Sequence, residues 1–433
     1  MDHQVLTTYR PSALRVACVA TCPPRQCGIA TFSTDLATAM RDLDARLDLR
    51  FAAIEGAERH DYGADVAWRV VQGDPASYRA LAHRLNTAAI DVILLQHEFG
   101  LFGNWGPTFD DHLAEFLSIV EAPVVSILHS VPPDPSESVR AAVQTLGRRS
   151  THVIVMAEFA MGLLLERYGL DPDGLTMIPH GVPSPPQTSR ACLRQALGVA
   201  DRQLISTFGF LDPHKGLEHM IAAMSTVARR FPRAQYAIVG RTHPDLARRA
   251  GESYREQLQS EVDERGLQGN VTFVDEYVSL SRIVEYLAAT DVYVTPYLDM
   301  NQVTSGTLAY ALGQGRAVVS TPYVHAIEAL RQGRGVLVPP SDPDALSTAV
   351  LDLLEHPARR RAMERRARAY GASMAWPLVG AQTLTALRSA AERAVSQPLR
   401  QTPTAQPALL SAQDTTWPVP VGAEHEELAA QVA

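Results

Sequence analysis

Four consecutive residues, Thr304-Ser305-Gly306-Thr307, offer the donors an anion needs. They follow the apolar run DVYVTP and open a segment of helical spacing that reaches about Gly313. A helix N-terminus leaves backbone N–H groups unpaired, and its dipole favours negative charge by roughly 0.3–1 kcal/mol. Gly306 lets a phosphate approach the backbone, and Ser305 and Thr307 add hydroxyls. The same pattern also suits an ordinary N-capped helix. Lys215, in the loop LDPHKG, puts a cation at another strand-to-helix turn; a solvated surface lysine is the alternative. Nearer the start of the chain, Gly28 sits in the loop TCPPRQCGIAT, where backbone could approach a ligand or simply turn. His97, Glu98 and His129 stand just past apolar runs, as functional groups or as structural hydrogen-bonding residues. HEFG lacks the second histidine of a zinc motif, and Cys18, Cys22 and Cys27 have no second cluster to complete a metal site. No metal site is expected.

The elements that must hold these residues alternate strand with helix. LRVACVA, LDLRFAAI, DVILLQ, PVVSILHS, THVIVM and LTMIPHGV read as buried strands, the continuous apolar kind found in parallel sheets. Helical spacing covers Phe32–Leu43 and Ala76–Asn86. A stretch from His180 to about Ala200, holding Pro183, Pro185 and Pro186, reads as a stiff, non-helical linker. A second alternation begins at QLISTFGF and runs through QYAIVG, VTFVDEY, DVYVTP, RAVVST and GVLVPP. Each polar interruption falls after a strand, where open α/β sheets place their ligands. The fold class is therefore α/β with two Rossmann-like domains. Domain limits are expected at 12–185 and 200–371, with a terminal helix over 372–395. The Pro- and Gln-rich residues 397–433 read as a disordered tail.

Composition narrows the function classes. The 433 residues are long enough for two or three domains, and 46% hydrophobic with 20% charged residues is ordinary for a soluble globular protein. A net charge of −8 argues against nucleic acid as the main partner. No apolar run reaches the roughly 20 residues a membrane span needs. The first residues lack the apolar centre of a secretion signal, and four cysteines read as cytosolic thiols, so a cytoplasmic location is expected. The basic segment Ala358–Tyr370 reads mainly as a solvated helix face, with a weak peripheral contact to acidic lipid as the second expectation.

Several motifs in order resemble one family. TFGFLDPHKGLEHMI resembles the donor-phosphate loop of the family 4 retaining glycosyltransferases, and LAYALGQGRAVVST resembles their second-glutamate helix and the strand after it. IPHGV is similar to their linker, GRGVLVPPSDPDALSTAV to their late strand and helix, and PRQCGIATFSTDLATAM to their N-terminal glycine loop. QHEFGLFG followed by SILHSV looks like a bacterial, mannosyltransferase-like subgroup. The resemblance spans roughly residues 14 to 393.

It implies the GT-B architecture, two domains facing each other across a cleft, with the terminal helix crossing back to the first. It implies a hexosyltransferase that takes a nucleotide sugar, such as GDP-mannose or UDP-glucose, as substrate and needs no cofactor. The acceptor would be a carbohydrate or small-molecule hydroxyl, and the anomeric configuration would be retained. Lys215 would neutralise the donor diphosphate, with amides around Ser305–Thr307. Gly28 would admit the donor phosphates or the acceptor, and His129 would meet the donor sugar. Glu276, Tyr277 and Val278 would hold the nucleobase, and Gln302, Val303, Thr304 and Tyr310 would complete the donor site. Glu98 is the one carboxylate placed near the cleft. Three positions depart from the family pattern: Phe210 replaces an arginine, and Gln302 and Tyr310 replace glutamates. A sugar-nucleotide epimerase of the same fold and a non-catalytic sugar-nucleotide scaffold are the alternatives.

Overall fold

The structure is a computed structural model that describes residues 13–56, 58–104 and 109–396. The tail reading at 397–433 lies outside the described residues.

Seven parallel strands build the first sheet. They are β1 (Arg15–Ala20), β2 (Asp48–Glu55), β3 (Val66–Val71), β4 (Val92–His97), β5 (Val124–Leu128), β6 (His152–Val155) and β7 (Leu175–Met177). Their order is β3-β2-β1-β4-β5-β6-β7. All six residues of β4, VILLQH, are buried, which helices on both faces of the sheet require. The second sheet repeats the design with β8 (Leu204–Phe208), β9 (Gln235–Val239), β10 (Val271–Val274), β11 (Val292–Thr295), β12 (Ala317–Ser320) and β13 (Gly335–Leu337). Its order is β10-β9-β8-β11-β12-β13. In both sheets the strand order reverses beside the first strand, between β1 and β4 and between β8 and β11. A crevice opens outside the strand ends at such a reversal. The loops after β1, β4, β8 and β11 hold Gly28, Glu98, Lys215 and Ser305.

The first helix, Gly28–Leu43, starts four residues earlier than its apolar spacing predicts. Cys27 caps it, its Sγ accepting from the Ala30 amide at 3.4 Å. Ala30, Leu36, Ala37 and Met40 bury one face. The last helix, Trp376–Ser396, lies on this helix: Gly380 allows close approach to Ala39, and Arg388 pairs with Asp44 at 2.7 Å. The C-terminal helix thus crosses back to the first domain.

The linker departs from its reading. Its prolines end at Pro186, and Ser189 then caps a helix over Arg190–Ala196 by accepting from the Cys192 amide. Arg190 and Arg194 bind Asp291 at 2.7 and 3.1 Å, which fastens this helix to the second domain. The chain passes between the domains twice, and the two passages are hydrogen-bonded together. The Val182 amide donates to the Met374 carbonyl at 2.8 Å, and the Trp376 amide to the Val182 carbonyl at 3.3 Å. Gly181 is required there, because a Cβ would overlap the Trp376 indole.

In the basic helix, Pro357–Ala372, Arg359 pairs with Asp352 at 2.6 Å and Arg360 donates to the Leu353 carbonyl at 3.1 Å. Those two charges serve the domain itself. Among the described residues, no helix is long and apolar enough to cross a membrane.

Candidate functional site

On the second domain, Ser305 caps the helix Gly306–Gly313 and accepts from the Leu308 amide at 3.4 Å. The Thr307 hydroxyl lies 3.2 Å from the Tyr297 hydroxyl and 3.4 Å from that of Ser305. Across the Tyr297 ring stands Lys215, its Nζ 3.8 Å from the ring centroid. Asp212 sets that lysine in place by capping the short turn Pro213–Lys215, accepting from the His214 amide at 2.9 Å. Gly216 closes the turn at φ 57°, with the Pro296 carbonyl where a Cβ would stand. One cation, two hydroxyls and a helix N-terminus therefore converge around Tyr297. The Ser305 amide is not part of the cradle, because it donates to His325 Nδ1 at 2.8 Å. The first-turn amides of Gly306 and Thr307 are the ones a helix leaves without an internal partner.

On the first domain, His129 Nε2 lies 2.8 Å from Gln96 Oε1. In that orientation Nε2 carries the proton and Nδ1 is the ring's acceptor. Burial, then His180 and His97, push its pKa down to about 3, so the ring is neutral at pH 7. Glu98 is fully engaged locally: one oxygen accepts from the Phe99 amide at 3.0 Å, the other from the Ser130 hydroxyl at 2.6 Å. Burial raises its pKa, and those two hydrogen bonds oppose the rise. Glu98, expected as a catalytic carboxylate, thus caps the short helix that follows it and holds the Ser130 hydroxyl. Gly28 is the first residue of its helix, and a Cβ there meets no heavy atom within 4 Å. The open space sits at a helix N-terminus that faces the other domain.

His180, in the first passage between domains, joins the two halves. Its Nδ1 donates to the Gly181 carbonyl at 2.8 Å, and a Cβ on Gly306 would come within 2.9 Å of its Nε2. Its ring meets Tyr310 edge-on at 5.5 Å and Phe32 at 5.0 Å, and Phe32 in turn meets His129 at 4.9 Å. Burial holds His180 down to about 4 and His325 down to about 3. The cleft is also bridged directly. The Tyr277 hydroxyl lies 3.3 Å from the Thr31 hydroxyl, and Arg241 donates to Gln26 at 3.2 Å. On the far flank the Glu328 carboxylate accepts from the Glu158 and Phe159 amides, both at 2.9 Å.

The remaining expected donor residues divide. Tyr310 is buried against His180, and Asp35 and Tyr277 help burial raise its pKa. Glu276 and Tyr277 are exposed and Val278 half-buried in the loop after β10, with the Phe210 ring 5.9 Å from Tyr277. Gln302 folds back, donating to the Thr304 carbonyl at 2.9 Å. Val303 inserts its side chain into the first domain's apolar cluster, leaving only backbone to offer a donor. Tyr297, His180, His325 and Asp35 were not singled out from sequence. His180 was legible in principle, as the one titratable residue of IPHGV. His325 and Tyr297 carry no local signal, since their contacts depend on the spacing of β11 and β12. Among the described residues no group of three His, Cys, Asp or Glu side chains could hold a metal ion.

Comparison with known proteins fits this geometry. Residues 202–356, which hold the whole second sheet, match the family model described as glycosyl transferases group 1. The chain is 28% identical to a GDP-mannose-dependent alpha-(1-6)-phosphatidylinositol monomannoside mannosyltransferase of Mycolicibacterium smegmatis, over 52% of this chain and 58% of that protein. It is 27% identical to a D-inositol 3-phosphate glycosyltransferase of Kineococcus radiotolerans, over 53% and 55%. The matched region spans a little more than half the length of these relatives. Among solved structures, a glycosyltransferase from Rickettsia africae superposes with a TM-score of 0.68 at 14% identity, covering 88% of this chain and 99% of that one. HepE of Anabaena, solved with UDP-glucose, gives 0.66 at 18%, covering 88% and 100%. The architecture is the GT-B fold.

Proposed function

We propose that this protein transfers a hexose from a nucleotide sugar to an acceptor hydroxyl, with retention at the anomeric carbon. The observation that carries the reading is the convergence of Lys215 and Thr307 on Tyr297 at the start of the helix Gly306–Gly313. That arrangement suits a diphosphate. Lys215 neutralises its charge, the Thr307 hydroxyl and the first-turn amides donate to it, and the fixed dipoles favour the leaving group as charge develops. The anomeric carbon exchanges its bond to the diphosphate oxygen for one to the acceptor oxygen. The acceptor's proton balances the charge on the released nucleoside diphosphate. His129, neutral and with Nδ1 as acceptor, takes a hydrogen bond from a donor-sugar hydroxyl. Gly28 leaves room beside the phosphates.

The relatives' names support GDP-mannose as donor and an inositol-bearing or carbohydrate acceptor, while the HepE complex supports UDP-glucose. Retention rests on the family resemblance. The enzyme works without a bound metal, and its location is the cytoplasm. The epimerase alternative is not favoured, because Glu98 is held as a cap.

A thermal-shift series with GDP-mannose, UDP-glucose and an ADP-sugar tests the reading, since a ligand at 100 times its Kd stabilises the fold by about 2.7 kcal/mol. One donor should raise the melting temperature clearly above the others. No shift with any of the three at millimolar concentration overturns the proposal.

A further inference from the structure

The first helix presents a stripe toward the second domain as well as the face under its own sheet. Gly28, Thr31, Phe32 and Asp35 recur at helical spacing and lie on one side of it. Three of them are accounted for. Thr31 reaches Tyr277 across the cleft, Phe32 packs on His180, and Gly28 borders open space. Asp35 completes the stripe one turn further along, and its charge helps burial raise the pKa of Tyr310 on the opposite domain.

Asp35 Oδ2 is buried and, among the described residues, has no hydrogen-bond partner. Burial pushes its carboxyl up to about 6, the mark of a carboxylate short of donors. A chain that folds around such a group gives up stability there, which commonly accompanies a binding role. An ionised carboxylate only accepts hydrogen bonds, from several directions at once. Two adjacent hydroxyls satisfy it without bringing charge. A second anion is repelled. The diphosphate cradle lies on the other domain, and Asp35 shares its helix face with Thr31, which reaches that domain at the Tyr277 hydroxyl.

We propose that Asp35 binds a vicinal diol of the nucleotide sugar. This rests on the nucleotide-sugar reading above. The diol belongs either to the ribose or to the hexose being transferred, and closing the two domains on the donor brings it to the carboxylate.

Calorimetric titrations with GDP, UDP, their 2′,3′-dideoxy forms, GDP-mannose and UDP-glucose test the assignment on the full chain. Asp35→Asn is compared with the natural protein, and thermal unfolding of both is recorded. If the ribose is the source, Asp35→Asn binds the bare nucleotide at least tenfold more weakly, and the dideoxy form binds both proteins equally. If the hexose is the source, bare nucleotide affinity is unchanged and only the nucleotide sugar weakens tenfold. In either case the melting temperature holds or rises, because no internal partner is lost. A lowered melting temperature marks Asp35 as structural and overturns the assignment. Equal affinities of both proteins for nucleotide and nucleotide sugar overturn it as well, with the nucleotide-sugar reading intact. A natural protein that binds none of the nucleotides overturns that reading first, and this assignment with it.

Discussion

A lysine ammonium stacked on a tyrosine ring is positioned without being neutralised. Such a contact is worth about 0.5–2 kcal/mol, enough to fix the cation's place, while the full charge stays available to an anion. Lys215→Ala should therefore lower kcat/KM by about 10²–10³, the scale of losing one charge-stabilising group, roughly 3–4 kcal/mol. His129→Ala should behave differently. On the proposed reading it meets the sugar from the other domain, so kcat should fall while affinity for the bare nucleotide holds. Steady-state kinetics beside nucleotide calorimetry separate the two; matching losses of nucleotide affinity in both variants would place the donor on the first domain. Lys215, His129 and the Ser305–Thr307 loop stood out as candidates because each follows an apolar strand, where polar residues have few structural duties. Glu98 satisfied the same rule, yet its oxygens are engaged with Phe99 and Ser130. Position after a strand locates candidates, but only the fold shows which still have hydrogen-bonding capacity to spare. Asp35 gave no signal at all, since a carboxylate on an amphipathic helix reads as its wet side until the fold buries it.

Glycines act at the level of elements, and two of them make opposite forecasts. Gly28 borders open space at the first turn of a helix, so Gly28→Val should fold with an unchanged melting temperature and lose turnover by filling the room left for substrate. Gly181 is pressed against the Trp376 indole where the two interdomain passages touch. Gly181→Ala should destabilise by about 1–3 kcal/mol, the usual toll of forcing an extra methyl into a packed site. Thermal unfolding and activity, measured on both, distinguish space kept for a ligand from space closed by packing. An unaltered melting temperature for Gly181→Ala would show that the indole can move aside. Most strands were legible because buried parallel strands are continuous apolar runs. The edge strand β3, VAWRVV, was passed over: only one of its six residues is buried, so it carries no such run. The helix Arg190–Ala196 was missed because three prolines dominated the reading of its neighbourhood, while its own signals, the Ser189 cap and two arginines aimed at Asp291, lie past them.

The molecule as a whole should be sensitive to acid. His97, His129, His180 and His325 are held by burial at about 4, 3, 4 and 3, and His152 is lowered too. Unfolded, each would protonate near 6.5, so below that pH the unfolded chain binds more protons and stability falls as pH falls. Asp35, Glu98 and Asp111 are raised and run the other way, holding extra protons in the folded state. The lowered histidines outnumber the raised carboxylates, so unfolding takes up protons below about pH 6 and stability falls as pH falls. Urea unfolding at pH 7, 6 and 5 measures it, and a flat profile would mean these rings are not buried neutral. Three of the five histidines line the seam between the domains, so acid should weaken the cleft along with the fold.

The last helix lies on the first, and that packing has a meaning in time. During synthesis the helix Gly28–Leu43 leaves the ribosome long before Trp376–Ser396 exists to cover it. At roughly 5–20 residues per second, its apolar side waits for tens of seconds. The first domain is begun first and finished last, so the nascent chain passes through an interval in which it needs shielding from its neighbours.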